Sequence, residues 1–113
     1  MSEDCIFCKI LKGEIPSEEV YADEHTYAFR DINPVAPTHV LVIPREHVAS
    51  LDDTKEEDTE MLGRLLVTAR KVAEQEGLPN GYRVLTNTGP DSGQVVFHLH
   101  LHVLGGKKLV GIG

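Results

Sequence analysis

Basic residues are scarce in this 113-residue sequence: 11 Lys and Arg stand against 18 Asp and Glu, which gives a net charge of −7 with neutral histidine. Binding to a nucleic-acid backbone or to an anionic membrane surface depends on clustered Lys and Arg, so both functions are excluded. No apolar run approaches the roughly 20 residues that cross a bilayer. The acidic start, residues 1–4, is not followed by the apolar core of a signal peptide, so we expect a cytoplasmic protein.

Repeats, low-complexity tracts and linkers are also lacking, and the apolar fraction of 41% suits one modest core. We therefore predict a single domain over residues 1–113. Alternating apolar residues and turn residues predict the strands. The predicted elements before the middle of the chain are a short helix at 6–11 and strands at 19–22, 26–31 and 39–43. Those after it are strands at 81–86 and 97–104.

A long helix is predicted between these two groups of strands, over residues 55–76. Thr54 and Glu57 have the spacing of a capping box, and Gly77 suits the C-terminal end. Its apolar stripe consists of Met61, Leu62, Leu65, Leu66, Ala69, Val72 and Ala73. The order of elements predicts an α+β fold, in which an antiparallel five-stranded meander carries the long helix across one face.

Cysteine is limited to Cys5 and Cys8, which form a C-x-x-C motif. A structural disulfide is disfavoured in a cytosolic chain, which leaves a redox pair, half of a zinc site, or two unrelated thiols. A redox C-x-x-C usually follows a strand, and none precedes this motif. Zinc needs two further S or N ligands, which the six histidines could supply. The spacing favours zinc over no metal.

The last predicted strand carries His98, His100 and His102 at alternating positions. Period two directs the three imidazoles to one face, about 7 Å apart, and the intervening apolar residues to the core. The residues alone leave three interpretations open: a polar strand face, a three-histidine metal site and a nucleophilic centre. A neutral imidazole can attack phosphorus, and the phosphorus–nitrogen adduct is reactive because imidazole leaves readily once protonated.

The loop before this strand, residues 87–94, contains Gly89 and Gly93. By themselves these glycines fit ordinary turn chemistry. Next to a row of imidazoles they also fit a loop whose backbone N–H groups approach a phosphate closely.

Residues 98–104 resemble the signature of the histidine-triad superfamily, in which three histidines alternate with apolar residues. The whole chain resembles the Hint branch of nucleoside phosphoramidases. The matching segments are I-F-x-K-I at 6–10, D-I-x-P-x-A-P-x-H at 31–39, V-I-P-[KR]-x-H at 42–47 and N-x-G-x-x-x-G-Q at 87–94. The resemblance implies a histidine-triad fold whose sheet continues across a homodimer.

The resemblance also implies an activity: cleavage of purine nucleoside phosphoramidates through a nucleotidyl-His100 intermediate, with release of AMP or GMP. Aminoacyl-adenylates are a further implied substrate class. His100 would be the nucleophile, His102 would hydrogen-bond the phosphate or leaving group, and His39 would orient the cluster. The implied substrate-binding residues are Ile6, Phe7, Ile32 and Leu41 for the purine, Asp31 for the ribose, and Asn87, Gly93 and Gln94 for the phosphate.

The relatives with an N-terminal C-x-x-C imply the identity of the metal ligands. They place a structural, non-catalytic zinc ion on Cys5, Cys8, His47 and His98, and the resemblance implies no organic cofactor. Four S and N ligands suit a closed tetrahedral site. The remaining histidine, His25, has no implied role.

Three positions depart from the family pattern. Val95 stands where many Hint enzymes carry Ser, which affects leaving-group handling; Arg30 stands where His is common; and the tail, residues 107–113, lacks Trp. Two alternative functions follow. One is dinucleoside polyphosphate hydrolysis, as in the fragile-histidine-triad branch, and the other is a catalytically weak, zinc-stabilised nucleotide-binding protein.

Overall fold

The computed structural model describes residues 4–111, so the two ends of the predicted 1–113 domain, residues 1–3 and 112–113, lie outside the described part. The helices are α1 (Ile6–Leu11) and α2 (Thr59–Glu76). The strands are β1 (Glu19–Ala22), β2 (Thr26–Arg30), β3 (Thr38–Pro44), β4 (Tyr82–Leu85) and β5 (Leu101–Gly105). Within the described residues no helix has the length and apolar character needed to cross a membrane.

The strands form one five-stranded sheet in the order β1-β2-β3-β5-β4, and every neighbouring pair is antiparallel. This confirms the predicted α+β fold with one long and one short helix. The simple meander is wrong, because β5 inserts between β3 and β4. The insertion gives β5 a strand on each side, as its almost entirely buried apolar residues require, and leaves the shorter, half-exposed β4 at the edge.

The two faces of the sheet have different coverings because side chains alternate along each strand. Val40 and Val42 of β3 face α2 and pack in a buried cluster with Leu65, Ala69 and Val72. The intervening residues of β3 point to the opposite face. There Leu41 and Ile43 pack with Phe7 of α1 and Phe29 of β2. The face opposite α2 therefore carries α1 and remains open for a site.

The long helix begins at Thr59, so the predicted start at Lys55 and the Thr54–Glu57 capping box are wrong. Residues Glu56–Asp58 form a separate 3-10 turn, in which the Lys55 N–H donates to Asp58 Oδ2 at 2.8 Å. The Thr54 hydroxyl instead donates to the Leu51 carbonyl at 2.7 Å. Gly77 ends the helix as predicted, with the left-handed φ of 67° that favours glycine. Leu66 of the predicted stripe lies outside the core and is 60% exposed.

The last strand begins at Leu101 and not at Phe97, so His98 and His100 precede it. In this segment the Leu99 N–H donates to the carbonyl of Val48, which lies beyond the end of β3. The alternation of side chains nevertheless continues through this segment. Leu99, Leu101 and Val103 all pack in the cluster under α2.

Val72 tests the core under α2, where its side chain is 0% exposed. Val72→Ala removes two methyl groups and leaves a cavity, so we expect the free energy of unfolding to fall by about 2 kcal/mol. The matched control is Arg70→Ala on the exposed side of the same helix, with an expected change within about 0.5 kcal/mol. Urea unfolding measures both, and equal losses would contradict the assigned core.

Candidate functional site

A cavity of about 490 Å³ opens on the sheet face opposite α2. Its walls come from α1, from the loop after β2 and from the loop after β4, while side chains of β3 and the β5 segment form its floor. All of the predicted catalytic and substrate-binding residues line it: His39, His100, His102, Ile6, Phe7, Asp31, Ile32, Leu41, Asn87, Gly93 and Gln94. The volume falls within the range of ordinary small-molecule sites.

His100 lies on the cavity floor, and its tautomer follows from its partner. Its Nδ1 lies 2.7 Å from the backbone carbonyl of His98, and a carbonyl only accepts, so Nδ1 carries the proton. The Nε2 atom of the neutral ring is therefore an unprotonated lone pair. The side chain is 8% exposed, and burial lowers its pKa against the opposing effects of the His98 carbonyl and Asp31. The lowered pKa favours the uncharged ring at neutral pH, whose Nε2 lone pair could act as a nucleophile.

A second pair of imidazoles, His39 and His102, has its tautomers set in the same way. The backbone N–H of Val35 donates to His39 Nδ1 at 3.1 Å, so the proton of the neutral His39 ring is on Nε2. That Nε2 lies 3.0 Å from His102 Nδ1 and 3.3 Å from Asp31 Oδ2. His102 Nδ1 therefore accepts, and its Nε2 carries a proton that it can donate to a substrate oxygen or nitrogen.

Burial keeps His102 uncharged. Burial lowers the pKa of His102 to about 4, and the neighbouring His100 and His39 rings act in the same direction. The centroids of the His100 and His102 rings lie 5.0 Å apart. The unprotonated Nε2 of His100 and the Nε2–H donor of His102 therefore belong to neighbouring rings. This arrangement suits attack on a phosphorus atom whose leaving group or oxygen is hydrogen-bonded at the same time.

The loop residues of the cavity differ in how free their polar atoms are. The amide of Gln94 is occupied: its oxygen accepts from the Gly89 N–H at 2.8 Å, and its nitrogen donates to the carbonyls of Ala49 and Val96. Gln94 therefore stabilises the loop through hydrogen bonds to backbone groups of the loop and of Ala49. Gly93 adopts a φ of 94°, which favours glycine and allows the loop to turn at this point.

The sequence departures have clear locations. Val95 is 83% exposed and lines the cavity, where its side chain offers no hydrogen bond. Both terminal nitrogens of Arg30 donate to the carboxylate of Glu76, each at 2.9 Å, and its Nε donates to Glu18. The Arg30 charge is thus shared with two carboxylates, so its effect on the ribose side is reduced.

The role of Val35 was not identified from the sequence, because it acts through its backbone N–H. The sequence contains a weak signal for it: Val35 lies between two prolines, which restrict the backbone four residues before His39. Its side chain also lines the cavity together with Ile10 and Phe29, which the sequence interpretation did not include.

A second cluster lies beside the cavity and consists of Cys5, Cys8, His47 and His98, hereafter the Cys/His cluster. Its donor atoms all lie within 4.8 Å of one another. His98 Nδ1 is 3.3 Å from Cys5 Sγ, 3.5 Å from Cys8 Sγ and 3.2 Å from His47 Nδ1. Zinc bonds of about 2.0–2.3 Å produce tetrahedral edges of similar length, so the four residues fit a zinc ion.

His98 is prepared as a metal ligand. Its Nε2 lies 3.0 Å from the Pro44 carbonyl and must donate to it, which leaves Nδ1 as a lone pair facing the two thiols. The ring is 0% exposed, and burial lowers the pKa of His98 to about 4, which keeps it uncharged. Burial also raises the pKa of the Cys5 thiol, so ligation would displace its proton.

The three triad histidines do not converge on one metal. Among the described residues the potential ligand groups are the Cys/His cluster and the set Asp31, His39 and His102. The close contacts of the second set are explained by the hydrogen bonds described above. The three-histidine metal site considered from the sequence is therefore wrong for His98, His100 and His102 together.

Comparison with known sequences adds the family. The sequence model of the HIT domain matches residues 12–109. The chain belongs to the HIT family. It is 48% identical over 110 residues to the purine nucleoside phosphoramidase of Escherichia coli K12, covering 96% of this chain and 92% of that protein. It is 53% identical over 106 residues to the 14 kDa zinc-binding protein of Zea mays, covering 92% and 83%.

A solved structure shows the same HIT fold. The HIT family hydrolase from Clostridium thermocellum superimposes with a TM-score of 0.93 at 48% identity, and the match covers 97% of this chain and 96% of that one. The predicted family and fold are thus confirmed.

The buried state of His102 predicts a pH dependence of stability. In the unfolded chain His102 takes up a proton near pH 6.5, whereas in the folded chain it does so only at about pH 4. Between these values the unfolded state binds more protons, so the free energy of unfolding should fall as pH decreases from 6.5 to 4. In His102→Asn this contribution is absent, so the pH slope from urea unfolding should be shallower. Parallel slopes in the two proteins would contradict a buried, neutral His102.

Proposed function

We propose that the protein is a nucleotide hydrolase of the Hint type, which cleaves purine nucleoside phosphoramidates and releases AMP or GMP. The observation that carries the proposal is the unprotonated Nε2 of His100 on the cavity floor, fixed by the 2.7 Å bond from Nδ1 to the His98 carbonyl. The name of the Escherichia coli relative, purine nucleoside phosphoramidase, supports the substrate class. Aminoacyl-adenylates are a second substrate class that the same centre would accept.

Substrate binding divides the cavity into an apolar and a polar end. Phe7 and Leu41 are buried and offer an apolar surface to a purine, while Ile6 and Ile32 border the opening. Asp31 accepts the Asn33 N–H through Oδ1, and its carboxylate remains a suitable acceptor for ribose hydroxyls. We propose that Asn87 and the backbone of Gly93 line the phosphate, with Gln94 supporting the loop.

The chemistry proceeds as two displacements at phosphorus. His100 Nε2 attacks the α-phosphorus, the bond to the leaving amine breaks, and a nucleotidyl-His100 intermediate forms. His102 Nε2–H donates to the phosphate or the leaving group, while His39 holds the His102 ring. Water then breaks the phosphorus–nitrogen bond to His100 and releases the nucleoside monophosphate. No clustered Lys or Arg is required, which agrees with the net charge of −7.

We also propose that the Cys/His cluster holds a structural zinc ion. The preformed lone pair of His98 Nδ1 and the spacing of the four donors support this assignment, and the Zea mays relative is named a zinc-binding protein. All four positions would be occupied by protein ligands, so the ion would stabilise the fold without offering a site to substrate.

The assembly and location remain predictions. The homodimer, with a sheet continued across two chains, rests on the family resemblance. The exposed edge strand β4 and the exposed apolar side chains Leu66, Val67 and Tyr82 support it. A single domain and a cytoplasmic location are retained on the sequence arguments.

His100 provides the direct test of the mechanism. In His100→Asn the nucleophile is lost, so release of AMP from adenosine 5′-phosphoramidate should fall by about a thousandfold or more. Mass spectrometry of the rapidly denatured wild-type protein during turnover should show a nucleotidyl adduct that the variant lacks. His25→Ala, an exposed histidine outside the cavity, is the control and should retain wild-type turnover. Full turnover in His100→Asn would overturn the mechanism.

The same assay separates the alternative functions. Faster cleavage of a diadenosine polyphosphate than of the phosphoramidate would favour the polyphosphate hydrolase. Binding of AMP without turnover of either substrate would favour the nucleotide-binding protein.

Zinc content tests the metal assignment. The protein purified without chelators should contain about one zinc ion per chain by elemental analysis, and Cys8→Ser with His98→Asn should contain about none. The paired substitution is used because a site that keeps three ligands can retain metal. An undiminished zinc content in the double variant would place the metal elsewhere.

A further inference from the structure

Helix α1 is shared between the Cys/His cluster and the nucleotide cavity. Cys5 caps the helix and Cys8 lies in its first full turn, and both face the cluster. The residues of the same helix that line the cavity are Ile6, Phe7 and Ile10. A helix of six residues is too short to be stable alone, so its position depends on the contacts that anchor it. The cluster is therefore one of the anchors of a cavity wall.

His98 provides a second connection between the two sites. Its ring nitrogen Nδ1 faces the two thiols at 3.3 and 3.5 Å. Its backbone carbonyl accepts a hydrogen bond of 2.7 Å from His100 Nδ1. A displacement of His98 by loss of its ring contacts would move the atom that fixes the tautomer and orientation of the nucleophile. The two residues are thus coupled through one backbone carbonyl.

Phe7 fills the space between these connections. Its ring packs edge-on against His98 and His100, with centroid distances of 5.9 and 5.2 Å, and against Phe29 at 5.4 Å. Phe7 is flanked in the chain by Ile6 and Cys8 and is 6% exposed. A shift of α1 would therefore change the purine wall and the packing of the nucleophile together.

The four donors of the cluster hold one another only weakly unless a metal joins them. Thiols are poor hydrogen-bond partners, and the Nδ1 atoms of His47 and His98 lie 3.2 Å apart. His98 Nδ1 carries no proton, because the other ring nitrogen donates to the Pro44 carbonyl. This Nδ1 atom can therefore only accept a hydrogen bond from its neighbours in the cluster. A zinc ion would replace these contacts with four ligand bonds, which anchor the segment far more strongly.

We propose that zinc at the Cys/His cluster positions the nucleotide site, so that Cys5, Cys8 and His47 are positioning residues for nucleotide binding and for the orientation of His100. Metal loss then weakens nucleotide binding through α1 and slows turnover through His98. The proposal rests on the proposed function for its substrate, but nucleotide binding can be measured without turnover.

His47 is the residue to change, because it is exposed, lies outside α1 and does not line the nucleotide cavity. Its Nδ1 atom lies 3.4 Å from Cys8 Sγ and 3.2 Å from His98 Nδ1, so its removal acts first on the cluster. We expect His47→Ala, exchanged against a chelator, to lose zinc and to bind AMP about tenfold more weakly by calorimetry. We expect its KM for adenosine 5′-phosphoramidate to rise, and its kcat to fall by a further factor of about ten. His47→Cys, which supplies a thiolate ligand, should restore zinc, AMP affinity and KM together.

Val72→Ala is the matched control for destabilisation alone. It weakens the core on the opposite face of the sheet, and the buried cluster in which Val72 packs contains no residue of α1 or of the Cys/His cluster. Its AMP affinity, KM and kcat should equal those of the wild-type protein at a temperature where both are folded. If Val72→Ala lost as much AMP affinity as His47→Ala, the loss in His47→Ala would be explained by general destabilisation of the fold. That result would overturn the proposal.

The outcomes also separate this proposal from the proposed function. Zinc-free His47→Ala with wild-type AMP affinity and KM would overturn it, as would a tenfold weaker AMP affinity in a His47→Ala protein that still holds one zinc per chain. AMP binding that depends on zinc, without phosphoramidate turnover, would support the positioning role and contradict the proposed activity. A zinc-loaded wild-type protein that binds no AMP would overturn both.

Discussion

The alternation of side chains along residues 98–104 is the constraint on which the core and the site both depend. Leu99, Leu101 and Val103 point to the cluster under α2, and this burial holds the segment against the sheet. The same period-two geometry then directs every intervening side chain to the opposite face. A one-residue slip would place imidazoles in the apolar core and leucines in the cavity, so the register that stabilises the fold also assembles the site.

Burial and hydrogen-bond partners, more than neighbouring charges, set the protonation state of the cavity histidines. The pKa values of His39, His100 and His102 are all lowered chiefly by burial, which favours neutral rings at neutral pH. Neutral rings have one donor and one acceptor nitrogen. Backbone groups decide which is which for His39 and His100, and the His39 ring decides it for His102. The net charge of −7 is compatible with the proposed phosphate site, because imidazoles and N–H groups would bind a phosphate without clustered cations.

Much of this arrangement could be predicted from the sequence on two grounds: local patterns predicted the helices and strands, and the family resemblance implied the cavity residues. Helix 6–11 and strand 19–22 have the predicted bounds, and the residues predicted to meet at the cavity do line it. The errors have two sources. A distant contact, the bond from the Leu99 N–H to Val48, accompanies the late start of β5, and a local 3-10 turn at 56–58 takes the place of the first helical turn. The contribution of Val35 was not accessible either, because a backbone N–H leaves no mark on the side-chain pattern.

His98 and His100 show how two residues of the same type, two positions apart, acquire different functions. The Pro44 carbonyl accepts a hydrogen bond from His98 Nε2, so Nδ1 is unprotonated and faces the thiols. The His98 carbonyl accepts a hydrogen bond from His100 Nδ1, so Nε2 of His100 is unprotonated. Each carbonyl selects the nitrogen that remains reactive. The carbonyl that fixes the His100 ring belongs to His98, a member of the Cys/His cluster, and the proposed positioning role of the cluster depends on this connection.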